Sequence, residues 1–357
     1  MTGHFTSAES QPPDAIPRTR RKILTANVRS KGTSNMRAMR ADDFRGYDDL
    51  RLAEIPKPSP SGGRVLVRVT AAGITPLDHT VLSGQFPPAK APLVLGNEGA
   101  GIVEGGDGDF PDGTRVVFCG SFGVFEDGSY AEYVSASKEL LYRIPDTIDD
   151  IAAAGIPVAY LTAYIALMNA GFKPGKSVLA PAIGGSIGNA VTQLARTLGA
   201  RYSISSTASH AKAKEAEALG FTDVIDMSAE NLADGVNRIT DGYGADIVID
   251  GIGGNILSEA LKVLARGGSL TTLGYSAGRE STINVTDLIW KTASIKGFTL
   301  SAESVSVRQE AWSAISGLLA SGKITPIVAR TFPLENAAEA MRYLIEERPF
   351  GRIILTI

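Results

Sequence analysis

From residue 177 onward the chain repeats one alternation: a short run of apolar residues, then a longer segment whose apolar positions recur at helical spacing. Runs 177–180, 202–205, 224–226, 245–250 and 270–274 read as strands, and segments 187–198, 211–219 and 255–265 as helices between them. Strands that are apolar along their whole length have no face to offer water. The pattern therefore predicts an α/β fold with a doubly wound parallel sheet, covered by helices on both sides. Residues 36–160 have a different texture, with short alternating runs such as 64–69, 100–103 and 115–118 split by Gly and Pro, which predicts a twisted β-rich domain. An Ala-rich apolar segment, 151–168, joins the two, and Pro157 inside it predicts a broken helix. Beyond residue 300 come helices at 304–319 and 335–345 and a last strand at 352–357. This tail is too short to stand alone and is expected to return to the first domain. The chain is thus read as a basic extension (1–35), a discontinuous β-rich substrate domain (36–160 and 300–357) and a nucleotide-binding domain (161–299).

Composition narrows the function classes. Hydrophobic residues make up 44% and charged residues 20%, with a net charge of -3, which fits a soluble globular protein and argues against a general nucleic-acid binder. A small, nearly neutral substrate is the expectation. Cys119 is the only cysteine, so the chain has neither an internal disulfide nor a multi-cysteine zinc cluster, and a reducing, cytoplasmic compartment is expected. No apolar run reaches the roughly 18 residues that a membrane span requires. Charge is uneven: residues 1–35 carry six basic and two acidic side chains, leaving the remainder at -7. Arg18, Arg20, Arg21, Lys22 and Arg29 give this arm the look of a transit peptide, but Pro12, Pro13 and Pro17 interrupt any amphipathic helix. A disordered arm, or a start site placed ahead of Met36 or Met39, is the preferred reading over organelle targeting.

The chemistry concentrates in one stretch, Ser177-Val-Leu-Ala-Pro-Ala-Ile-Gly-Gly-Ser-Ile-Gly-Asn189. Ala182, Gly185 and Gly188 have dinucleotide-fingerprint spacing, with a strand before and a helix after. A small residue permits the tight turn, Gly184 and Gly185 let backbone approach a diphosphate, and Gly188 lets the helix pack close to the strand. The first helical residues, Ser186 and Ile187, then present unpaired N–H groups and a partial positive charge to the phosphates. An isolated Gly-rich turn would be weak ground, but three further strand–helix units follow this one.

The second strand decides the cofactor. An NAD site ends this strand with Asp or Glu to bind the ribose hydroxyls. Here the sequence runs Ile204-Ser-Ser-Thr-Ala-Ser-His-Ala-Lys212, with no carboxylate before Glu215. The hydroxyls of Ser205, Ser206 and Thr207 and the charge of Lys212 suit a 2′-phosphate, so NADPH is the expected cofactor. Ser209 reads equally well as the cap of the next helix.

With these residues in hand, the chain from about Met36 to Ile357 resembles the medium-chain dehydrogenase/reductase superfamily, particularly its quinone oxidoreductase and zeta-crystallin branch. Ala72-Gly-Ile-Thr-Pro-Leu-Asp78, Leu95-Gly-Asn-Glu-Gly-Ala-Gly101, Gly128-Ser-Tyr-Ala-Glu-Tyr-Val134, Leu161-Thr-Ala-Tyr164 and Phe350-Gly-Arg-Ile-Ile-Leu355 carry the resemblance alongside the Ala182 turn. It implies a Rossmann sheet beside a GroES-like β-rich domain. The nicotinamide would lie in the cleft between them, near Thr75, Thr162 and the turns beginning at Gly251 and at Gly274-Tyr275. Zinc-dependent relatives carry Cys and His where this sequence has Thr75 and Asn97. Only Glu98 of that set remains, and a catalytic zinc needs about three protein ligands, so no metal site is expected.

Without a Lewis acid, a quinone or an α,β-unsaturated carbonyl is the acceptor of choice, because hydride enters a conjugated system readily. Thr75, Asp78 and Tyr130 are the candidate catalytic residues. Tyr130 is weighed as a hydrogen-bond donor to a substrate carbonyl against a packed core tyrosine, and His79 as a proton source against a rim histidine. Relatives often carry Tyr where Phe86 stands here, and Phe has no hydroxyl to donate. An enoyl-thioester reductase and a non-catalytic NADPH-binding protein are the alternatives. A homodimer through the edge of the nucleotide sheet, using 282–285 and 294–300, completes the expectations.

Overall fold

The computed structural model describes residues 34–357, so the expectations for the basic arm lie outside the described residues. The first half consists of β1 (Asn35–Ala41), β2 (Leu50–Pro56), β3 (Arg64–Gly73), β4 (Leu93–Val94), β5 (Glu98–Glu104), β6 (Arg115–Cys119), β7 (Tyr133–Ser137) and β8 (Leu141–Arg143). Strands β2, β1 and β4 form a small antiparallel sheet. The long β3 is the spine of a larger one, with β5 along one side and β7 along the start of the other. Its Val65, Val67 and Val69 feed one apolar cluster while Ala72 joins another, so β3 is buried nearly throughout.

Three helices follow strands of this half. Helix α1 (Pro76–Leu82) starts at Thr75 with Pro76 in its first turn, where a missing N–H costs nothing. The expected break at Pro157 is present: α2 (Asp150–Ala154) ends at Gly155, and α3 (Pro157–Asn169) restarts with Pro157 at its first position. Helix α3 is apolar on every side because it is sandwiched, touching the helix at Ser186–Thr197 of the second half and β5 and β6 of the β-rich half.

The second half runs β9 (Ser177–Pro181), α4 (Ser186–Thr197), β10 (Tyr202–Thr207), α5 (His210–Ala218), β11 (Val224–Asp226), α6 (Leu232–Thr240), β12 (Ala245–Asp250), α7 (Gly254–Lys262), β13 (Leu264–Thr272), α8 (Val285–Lys291) and β14 (Ser294–Gly297). All six strands are parallel, in the order β11-β10-β9-β12-β13-β14. Between β9 and β12 the order reverses. Connections leave in opposite directions there and open a crevice at the carboxyl ends of the strands, which is where such sheets take ligands.

The tail supplies α9 (Val305–Ala320), β15 (Val328–Pro333), α10 (Ala337–Glu347) and β16 (Arg352–Thr356). Strand β16 pairs antiparallel with β3, and β15 lies parallel to β16 at the sheet's edge. The sequence reading did not include β15: of its six residues only Phe332 is buried, so it lacks an alternating apolar face. A second correction concerns 282–285, which is not a strand. Residues 281–284 are irregular and Val285 opens α8, so β14 alone is the outer edge. No helix among the described residues is long and apolar enough to cross a membrane.

Candidate functional site

The turn after β9 is built around a backbone that only small residues tolerate. Ala182 takes a left-handed φ of 63°, and Gly185 precedes α4 with no side-chain cap. No acidic residue occupies the first turn of α4, so its leading N–H groups and partial positive charge meet no internal anion. A Cβ on Gly188 would sit 2.2 Å from the Ala182 carbonyl oxygen and 2.6 Å from that of Pro181, whereas one on Gly185 would approach only Ala182, at 3.3 Å. Gly188 thus seats the helix on the strand. Gly185 is crowded only by Ala182 of its own turn, and no residue from elsewhere in the fold comes within 4 Å of its Cβ position.

Two further strand ends converge on this turn. A Cβ on Gly251 would lie 3.1 Å from Ile187, and one on Gly274 would lie 2.1 Å from the Gly251 carbonyl oxygen. Gly251, Gly274 and Ile187 therefore bring the ends of β12 and β13 and the start of α4 into one contiguous wall. Tyr275, next in the chain, is 48% exposed beside it. Thr162 is buried within α3. The tail also reaches the turn: the Gly351 N–H donates to the Gly184 carbonyl at 3.0 Å, and Phe350 packs over Gly184.

At the end of β10 the hydroxyls divide. Ser205, expected to meet a phosphate, is fully buried and donates to the Ala180 carbonyl at 2.5 Å, so its hydroxyl belongs to the sheet. Thr207 accepts from the Ser209 N–H at 3.2 Å and keeps its own proton to donate, while the Ser206 carbonyl takes the Ile183 N–H at 2.9 Å. Ser209 caps α5. The stem of Lys212 passes 3.7 Å from the Cβ position of Gly184, and its ammonium donates to the Arg348 carbonyl. Arg348, which offers that carbonyl, is exposed and in a left-handed backbone.

Thr75, Asp78 and Tyr130 do come together, but in a sealed network. Asp78 Oδ2 accepts from the Thr75 N–H at 2.7 Å, the Thr75 hydroxyl at 2.8 Å and the Tyr130 hydroxyl at 3.1 Å, and Oδ1 accepts from the Asn97 N–H at 3.0 Å. Burial pushes the Asp78 carboxyl above the usual range, against the pull of these four donors, and burial beside Asp78 raises the Tyr130 phenol well above its ordinary value. Tyr130 is fully buried with its proton directed at Asp78, which corrects the picture of a phenol presented to a substrate carbonyl. Asn97 spends its side-chain amide on the carbonyls of Gly120 (2.8 Å) and Phe122 (3.1 Å). His79 lies against Tyr47, ring centroids 5.5 Å apart, and burial lowers its pKa.

Beside this network lies a pair absent from the sequence reading. Glu98 is wholly buried, with one oxygen bonded to Arg352 of β16 and the other accepting the Val158 N–H at 2.8 Å. Desolvation pushes its carboxyl up, and the Arg352 charge opposes that shift. The pair ties β5, α3 and the chain's last strand at the junction of the two halves. Among the described residues, no group of three or more His, Cys, Asp and Glu side chains is placed to hold a metal.

Comparison with known proteins places these features in context. Residues 61–146 match the alcohol dehydrogenase GroES-like domain, and residues 186–320 match the family described as zinc-binding dehydrogenase. A human quinone oxidoreductase is 30% identical over 333 residues, covering 91% of this chain and 99% of the relative. Among solved structures, a quinone oxidoreductase from Pseudomonas syringae superposes with a TM-score of 0.80 at 29% identity, covering 90% of this chain and 100% of that one. An NAD-dependent alcohol dehydrogenase superposes at 0.81 with 30% identity, covering 90% and 100%.

Proposed function

The chain belongs to the medium-chain dehydrogenase/reductase superfamily, in its quinone oxidoreductase branch, and from that premise we propose that it is an NADPH-dependent, zinc-free reductase of quinones or α,β-unsaturated carbonyls. The oxidoreductase class and a nicotinamide cofactor follow from the family. The phosphate side and the acceptor are our reading.

One observation carries the metal-free part. Thr75 and Asn97, which stand where zinc-dependent relatives carry Cys and His, direct their side-chain donors inward: the Thr75 hydroxyl to Asp78 and the Asn97 amide to the carbonyls of Gly120 and Phe122. In this reading, Thr75, Asp78 and Tyr130 form a rigid floor to the cleft and position it without exchanging protons with the acceptor.

The bound dihydronicotinamide supplies the hydride, so the protein's work is to hold, orient and exclude water. The amides of Ser186, Ile187 and Gly188 would hold the diphosphate, and Gly251, Gly274 and Ile187, with Thr162 and Tyr275, would line the place for the nicotinamide. Phe86 has no hydroxyl, so the proton that completes reduction is drawn from solvent. Thr207, Ser206 and Lys212 would hold a 2′-phosphate at the end of β10, a strand that itself ends without a carboxylate. A homodimer is part of the same reading: β14 has one unpaired edge, and Val285, Ile289 and Trp290 of the neighbouring helix are 59%, 67% and 76% exposed.

Titration calorimetry with NADPH and NADH tests the assignment. Lys212→Ala should weaken NADPH by roughly ten- to a hundredfold, the worth of a charge-assisted bond, with little effect on NADH. Equal losses for both would remove the 2′-phosphate site, and binding of neither cofactor to the unmodified protein would remove the reductase assignment.

A further inference from the structure

The mouth of the cleft carries a cation that the proposed hydride transfer does not use. Arg279 lies in the loop after β13, and its guanidinium crosses to the other half of the molecule, donating at 3.0 Å to the side-chain oxygen of Gln85, 194 residues away. It also lies over the Tyr275 ring, 5.3 Å from the centroid, and makes no ion pair with any described residue. Both loops are pinned at their roots. Ala277 N–H donates to the Ile252 carbonyl at 2.8 Å and Gly254 N–H to that of Gly278 at 3.1 Å; across the cleft, Gln85 N–H donates to the Thr80 carbonyl at 3.0 Å. Next to Gln85, Phe86 meets Phe125 edge-on at 6.1 Å, and Phe125 is 65% exposed. One guanidinium thus lies over the Tyr275 ring with a neutral amide as its polar partner across the cleft, and the residue after that amide, Phe86, begins an aromatic pair with the exposed Phe125.

We propose that Arg279 binds an anionic substituent on a flat aromatic acceptor, so that the enzyme prefers acidic quinones or aryl enones to neutral ones; this rests on the reductase reading above. An amide oxygen is a weak partner for a guanidinium, and a carboxylate or sulfonate, which accepts two parallel bonds, displaces it readily. Tyr275, Phe86 and Phe125 offer ring faces and edges to a planar acceptor. The body of the protein, net -7 over residues 36–357, repels anions, so a preference for one has to come from a local cation. Gln85 holds the guanidinium across the opening until the acceptor's anion takes its place.

The test compares ortho-naphthoquinone with its sulfonate, following NADPH oxidation. The quantity read is the ratio of kcat/KM for the sulfonate to that for the neutral quinone. In Arg279→Met this ratio should fall roughly tenfold, through KM, as expected for loss of a partly screened charged bond. Arg279→Lys should retain part of it. Gln85→Glu should lower it as well, because an internal carboxylate then holds the guanidinium. Raising ionic strength should shrink the ratio in the unmodified enzyme but not in Arg279→Met. A ratio that is the same in all four proteins overturns the proposal while leaving the reductase reading intact. Turnover of neither quinone and of no aryl enone by the unmodified enzyme overturns both.

Discussion

Glu98 has no contact with water, and both its oxygens are committed, one to Arg352 and one to the Val158 N–H. A buried pair of this kind adds little net stability when intact, but breaking it strands a charge. Burial already holds the Glu98 carboxyl above its ordinary range, and removing Arg352 raises it further. A carboxyl whose folded pKa exceeds its unfolded value contributes stability that is fully present below the unfolded pKa, near 4.3, and lost as pH rises through the folded one. Arg352→Met should therefore cost about 3–5 kcal/mol at about pH 8 and distinctly less at about pH 5, read from urea midpoints. An equal loss at both pH values would mean that Glu98 is not the group left uncompensated.

Helix α4 shows how one element couples fold to function. Its seat on β9 depends on Gly188, where any Cβ would run into the carbonyls of Ala182 and Pro181, while the equivalent atom on Gly184 would meet Phe350 at an ordinary 3.4 Å. Gly188→Ala must push the helix N-terminus away from the turn. Overpacking of this sort costs about 1–3 kcal/mol. Thermal unfolding and NADPH calorimetry should both report it, with affinity falling at least tenfold, whereas Gly184→Ala should be mild in stability. A Gly188→Ala protein that binds NADPH normally would separate the turn from the cofactor site. The same element explains why the fingerprint was legible: strand, turn and helix are contiguous in sequence, and Gly185 and Gly188 answer to atoms no more than seven residues away.

At the scale of the whole molecule, the last strand closes the first sheet, and the nucleotide sheet leaves β14 open with an apolar helix beside it. Exposed Trp290 and Ile289 suit a two-fold contact in which each copy presents the same edge. Sedimentation should find a dimer at micromolar concentration, and Trp290→Asp should weaken it by at least roughly thirtyfold, as loss of a buried aromatic anchor does. A monomer in the unmodified protein at that concentration would leave the exposed face without a second copy to cover it.

The sequence by itself determined the parallel sheet, the helix break at Pro157 and the glycine-rich turn after β9, because apolar periodicity and the steric demands of Gly and Pro act within a few residues. Tertiary structure decided which polar groups meet. Ser205 reads like a phosphate ligand beside Ser206 and Thr207, yet the sheet claims its hydroxyl; Tyr130 reads like a donor to substrate, yet Asp78 claims its proton. Glu98 and Arg352 stand 254 residues apart, and Gln85 and Arg279 stand 194 apart. No local pattern pairs such groups. Glu98 and Arg352, once removed from water, must find partners among whatever the packing brings near, and even the exposed Gln85–Arg279 bond depends on loops that meet only in the folded chain.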